Sequence, residues 1–139
     1  DDLAVTSAQL GAMMDPGARC LFTVIGRVCP WELGTYLWRR RWRRAFVRFA
    51  RGQTPVGMAG GTIWTRYYFP REFARRFAGE FRVVRVEALS LLVPPPYLTW
   101  VSERHPRWFD RLARWDAAIA GLPVARSMGD HFMIELERR

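Results

Sequence analysis

Lysine and asparagine are both missing from this 139-residue chain, so all 22 of its basic residues are arginine. Both missing residues have AT-rich codons. Their joint loss points to a GC-rich coding bias before it points to a polyanionic partner. Against 13 acidic residues the formal charge is +9, yet residues 39–51 alone hold seven Arg and no acid, leaving 15 Arg against 13 acids elsewhere. The basicity is local, which argues against a nucleic-acid binder whose charge tracks a backbone along a whole face. Cysteine and histidine are scarce: Cys20 and Cys29 are nine apart and His105 and His131 are 26 apart, a spacing that matches no zinc site, so no metal is expected. Ser7, Ser90, Ser102 and Ser127 lie in no nucleophile elbow, which removes hydrolase chemistry. Long apolar runs are absent too. The longest uncharged stretch, 88–102, is broken by Pro94, Pro95 and Pro96 and falls short of the roughly 20 residues of a membrane helix. A soluble protein is expected. No signal-peptide pattern opens the chain, so a cytoplasmic location with both thiols free is expected.

Half of the residues are hydrophobic and 14% aromatic, with seven Trp, which excludes a disordered or low-complexity chain. The length suits one domain with a single core. The chain begins Asp1-Asp2 without Met, which suggests a piece of something longer.

A first helix is expected from Thr6 or Ser7 as N-cap to the stop at Asp15-Pro16-Gly17. Residues 20–25 form a continuous apolar, β-branched run, as in a strand buried on both faces. From 31 to 51 the spacing is helical, with Trp38, Trp42, Ala45, Phe46 and Phe49 on one stripe, Arg over much of the rest, and Trp38, Trp42, Phe46 and Phe49 expected to turn inward. Residues 52–61 suggest a turn-rich break, 62–69 a strand, and Pro70 the first turn of a short helix over 71–78. A core strand over 81–86 follows. Helical spacing through Trp108, Leu112, Trp115 and Ile119 then leads to a last strand over 131–136, where Phe132, Ile134 and Leu136 alternate with other residues. Strands alternating with helices indicate an α/β sheet.

Several of these pieces in this order carry a resemblance. Leu10 with Asp15-Pro16-Gly17 and the strand over 20–25, a long insertion, Phe81-Arg82-Val83-Val84, Leu92-Val93-Pro94-Pro95-Pro96-Tyr97, and Gly129-Asp130-His131-Phe132-Met133 resemble the C-terminal half of a class I S-adenosylmethionine-dependent methyltransferase. The match spans nearly the whole chain. It implies the C-terminal part of a Rossmann-like methyltransferase sheet, whose last strand is antiparallel and inserted between the other two. Residues 29–69 would be a helical, aromatic- and Arg-rich cap insertion within one unit over 1–139. Members of this family hold the cofactor with a Gly-rich loop after the first strand, an acidic residue ending the second and a polar site near the fourth. None of these has room here, and Gly60-Gly61 precedes a strand instead of following one. S-adenosylmethionine is therefore implied by resemblance, with its site upstream of Asp1. The missing N-terminal half, or a second copy, would complete the sheet.

In open α/β sheets ligands sit beyond the carboxyl ends of the parallel strands. That expectation covers residues 26–32, the loop over 90–97, and Asp130 with His131. Methyl transfer to an oxygen or nitrogen needs a proton removed, for which Glu32, Tyr67, Tyr68 and His131 are candidates; the bland alternative, a cap or packing role, is favoured for each, and no catalytic residue is assigned. Trp31 and Tyr36, with Trp38, Trp42, Trp64 and the tyrosines, would either line a pocket for a hydrophobic small-molecule acceptor or build the cap's own core. The Arg-rich segment admits a membrane surface, a phosphate partner or a solvated helix face, the last favoured. The competing function is a non-enzymatic module using 38–51 on a membrane or a nucleic acid, of which nucleic acid is the less expected.

Overall fold

The computed structural model describes residues 2–50, 52–58, 60–94 and 99–139. Arg51 and the end of the Pro-rich loop, with Pro95, Pro96 and Tyr97, lie outside them. Three strands make the main sheet: β1 (Arg19–Ile25), β4 (Phe81–Leu89) and β5 (His131–Arg138), in the order β1-β5-β4. The C-terminal strand β5 is antiparallel to both neighbours, so β1 and β4 run parallel to each other, as the sequence led us to expect. Two further strands, β2 (Thr54–Met58) and β3 (Gly61–Thr65), pair as a separate antiparallel hairpin. No helix among the described residues is long and apolar enough to cross a membrane.

Only one face of the sheet is covered by the core. Cys20, Phe22 and Val24 of β1, Phe132, Ile134 and Leu136 of β5 and Val86 of β4 point toward α1 (Asp2–Met13) and α4 (Pro70–Phe77). Phe77, fully buried, lies 4.9 Å from the Phe73 ring, 5.1 Å from Phe22 and 6.0 Å from Phe81 between centroids, so an aromatic stack fills the gap between helix and sheet. The opposite face carries exposed Leu21 and the ion pairs of Arg19 with Glu135 and Glu137 and of Arg82 with Glu137. The strand over 20–25 is thus buried on one face, not two: its continuous apolar run hides an alternation of inward and outward side chains.

Local chemistry explains most boundaries. Pro30, Pro70 and Pro106 each open a helix at the first turn, where the missing N–H costs nothing: α2 (Pro30–Trp38), α4 and α6 (Pro106–Ile119). At α4 the Glu72 carboxylate accepts from Phe69 N–H at 3.0 Å, satisfying one of the orphan donors. α1 starts earlier than expected. Thr6 is inside it, its hydroxyl donating to Asp2 O at 2.7 Å, so neither Thr6 nor Ser7 caps the helix. The expected break over 52–61 contains β2, tolerated despite Pro55 because each strand of a two-stranded hairpin is an edge. Its partner ends at Thr65, short of Phe69.

The segment after Pro30 is helical but not one helix. α2 ends at Trp38, Arg40 adopts a positive φ of 55°, and α3 (Trp42–Ala45) and a 3-10 turn over Val47–Phe49 follow. This break interrupts the helical period between the two halves. Trp38, Trp42, Phe46 and Phe49, expected to turn inward, are 84%, 60%, 52% and 41% exposed. On α6 as well, Trp108 and Trp115 face outward, and the inner face includes Asp116, whose carboxylate accepts from Leu91 N–H at 3.1 Å and Leu92 N–H at 2.8 Å. Those bonds tie the loop after β4 to α6, with Ser90 at a φ of 57°. α5 (Thr99–Arg104) precedes α6.

Candidate functional site

At the carboxyl end of β1 the chain passes very close to the segment entering β5. Gly26 N–H donates to Asp130 O at 3.0 Å, and a Cβ on Gly26 would lie 2.6 Å from the Gly129 carbonyl oxygen. The bare backbone lets both segments present carbonyls to one point. Arg48, in the 3-10 turn, reaches that point: its Nη1 donates to Gly26 O at 3.0 Å and Asp130 O at 3.1 Å, and its Nη2 to Asp130 Oδ1 at 2.6 Å. Its Nε donates to the Glu32 carboxylate from the first turn of α2, and its guanidinium stands 5.3 Å from the centre of the buried Tyr67 ring. The second carboxylate oxygen of Asp130 lies 3.0 Å from His131 Nδ1.

The electrostatics follow from shallow burial of many charges. The Arg48 side chain is 12% exposed. Burial alone would lower its pKa, but the Glu32 and Asp130 carboxylates outweigh it, and the net shift is upward. Asp130 is held down to about 2, first by the hydrogen bond from His131 and, against the burial penalty, by Arg48. Burial pushes the Cys29 thiol up, partly offset by the Glu32 backbone N–H and the Arg48 charge. Burial likewise raises Tyr67. Cys29, Glu32 and Asp130 offer ligand atoms within 4.8 Å of one another. The donor set does not suit a cation as it stands: the guanidinium already lies on both carboxylates, and the thiol is driven toward its protonated form.

The expected site residues divide between three places. Glu32, Tyr67 and His131 come together around Arg48 and Asp130. Trp31 instead lines an apolar cavity of about 590 Å³ with Pro30, Trp38, Leu91, Leu92 and Leu112, beyond the carboxyl ends of both parallel strands. Tyr68 turns the other way, packing edge-on to Phe73 at 5.8 Å and bordering a basic cleft of about 520 Å³ with Arg27, Arg66 and Arg75. Tyr36 is half-buried, close enough to Tyr67 to influence its ionisation, and its backbone carbonyl accepts from Arg41 N–H at 2.8 Å. Sequence reasoning missed Arg48 and Cys29. Arg48 is one of seven arginines in a run, and its acidic partners lie 16 and 82 residues away. The available hint was Glu32, a lone acid just before a stretch that contains none until Glu72.

With this geometry, the cluster can hold a hydrogen-bonded Asp–His pair in a fixed orientation, with a buried guanidinium as its anchor. Comparison with known proteins finds no family model that matches the chain, and no curated protein matches it either.

Proposed function

We propose that this chain is the acceptor-binding, C-terminal part of a class I S-adenosylmethionine-dependent methyltransferase, and that its methyl acceptor is a small, largely apolar molecule. One observation carries the reading. β1 and β4 run parallel with β5 reversed between them, and both the Arg48 cluster and the apolar cavity open at the carboxyl ends of the parallel pair, where α/β sheets take their ligands. Trp31, Leu91, Leu92 and Leu112 supply apolar walls. His131, half-exposed, gives Nδ1–H to Asp130 and so keeps Nε2 as a proton acceptor for an acceptor hydroxyl or amine. Glu32, bound by Arg48, is a positioning residue and not the base.

S-adenosylmethionine itself does not fit these residues. Gly60 and Gly61 stand at the turn into β3 of a hairpin, not where a strand opens a helix, so no Gly-rich cofactor loop is formed there. In this reading the cofactor is held by sheet continuing beyond the outer edge of β1, from the remainder of the polypeptide or from a second copy. The product of the whole gene, given radiolabelled S-adenosylmethionine and lipophilic hydroxyl or amine acceptors, is expected to label one of them. His131→Ala should lower kcat by about a hundredfold or more with cofactor affinity unchanged. The 139-residue chain titrated alone with the cofactor should release no heat. A whole-gene product that fails to bind the cofactor refutes the reading.

A further inference from the structure

We propose that residues 38–49 form a docking surface for a membrane that carries anionic lipid. Two properties coincide in this short segment. Trp38, Trp42 and Phe46 are more than half exposed and Phe49 is partly so, with the Phe46 and Phe49 rings 6.1 Å apart. Between and beside them Arg39, Arg40, Arg41, Arg43 and Arg44 are exposed as well. No acidic residue occurs between Glu32 and Glu72, and Glu32 is already engaged by Arg48. The carboxylates that neutralise arginines elsewhere, such as Glu135 and Glu137, belong to the sheet.

Large aromatic side chains among unneutralised arginines suit the boundary between lipid headgroups and acyl chains, where rings insert a few ångströms and guanidinium groups bind phosphate. Charge selects this occupant over others. A second copy packed face to face would oppose five arginines with five. A nucleic acid would need cations tracking its backbone along a face, whereas outside 39–51 the chain has 15 Arg against 13 acids. Trp38 belongs both to this surface and to the wall of the apolar cavity, so docking sets the cavity beside the lipid. The docking itself does not rest on the methyl-transfer reading, because it is measured without turnover.

The test is co-sedimentation of the full chain with vesicles of phosphatidylcholine mixed with phosphatidylglycerol, against pure phosphatidylcholine. The mixed vesicles should bind it, the neutral ones should not, and added salt should weaken binding. Changing Arg39, Arg40, Arg43 and Arg44 to Gln should lower partitioning roughly a hundredfold or more, and Trp42→Ser with Phe46→Ser by about tenfold or more. All six side chains are exposed, and circular dichroism checks that each variant folds. Four results would overturn the proposal: equal binding by the variants, no vesicle binding, vesicle binding displaced by nucleic acid that itself binds tightly through this segment, or self-association that protects Trp42 from quenching.

Discussion

Replacing Arg48 by Met keeps much of the side chain's volume and removes its charge, leaving Glu32 and Asp130 facing each other, half-buried, without the cation that both now contact. Gly26 O also loses a donor, as does the Asp130 carbonyl. Breaking a buried pair from one side costs about 3–5 kcal/mol, because the desolvation of the remaining charge is no longer offset. With a urea slope of about 2 kcal/mol per molar, the midpoint should fall by about 2 M at neutral pH. Arg48→Met combined with Glu32→Gln and Asp130→Asn should recover part of that loss, since neutral amides can share hydrogen bonds.

Acid titration of the unaltered protein separates a bound carboxylate from one that is merely close. Asp130 falls from an ordinary 3.8 to about 2 in the folded chain, held first by His131 and then by Arg48. A carboxyl whose folded pKa is depressed stabilises the fold above its unfolded pKa and loses that contribution as pH falls through the folded value. For Asp130 the contribution is about 2 kcal/mol. It is complete above pH 3.8 and gone once the pH is below about 2. In Arg48→Met the two carboxylates repel, so protonating one should relieve the fold and stability should rise on mild acidification, opposite in sign to the parent. A urea midpoint that moves by less than about 0.5 M on Arg48→Met, or an acid profile of the same sign in both proteins, would refute this account of the cluster.

Phe77→Ala should cost about 3–5 kcal/mol in urea or thermal unfolding, since the side chain is fully buried against Phe22, Phe73 and Phe81. Gly26→Ala should destabilise by about 2 kcal/mol or more, because the new Cβ meets the Gly129 backbone carbonyl at 2.6 Å and neither segment can move without disturbing Arg48; the lower thermal midpoint should come with a larger effect on His131 chemical shifts than on those of the α1 residues.

The three strands of the main sheet and the start of α4 were legible because their causes are local. β-branched runs over 20–25 and 81–86 and the in-out alternation of Phe132, Ile134 and Leu136 declare extended chain, and Pro70 declares a first helical turn. The position of β5 between the others followed from the resemblance and not from its periodicity, which is silent on neighbours. Helical turns do occupy much of 31–49, yet a period says which residues share a face and nothing about what covers it. A single left-handed residue, Arg40, follows the end of α2 and interrupts that period.

The arginine run shows why a charge cluster misleads when taken as one unit. Of the arginines over 39–48, Arg48 alone turns inward, and it does so because Glu32, Asp130 and two backbone carbonyls converge where Gly26 and Gly129 allow the chain segments to meet. Those acceptors are assembled by the fold, so no local pattern distinguishes Arg48 from Arg44. Once Arg48 is fixed, the 3-10 turn that carries it is fixed too, and the side chains before it have little core left to enter. Exposure of Trp42 and Phe46 is then a consequence of the buried ion cluster: the anchor that orders the site also holds the aromatic and basic surface outward.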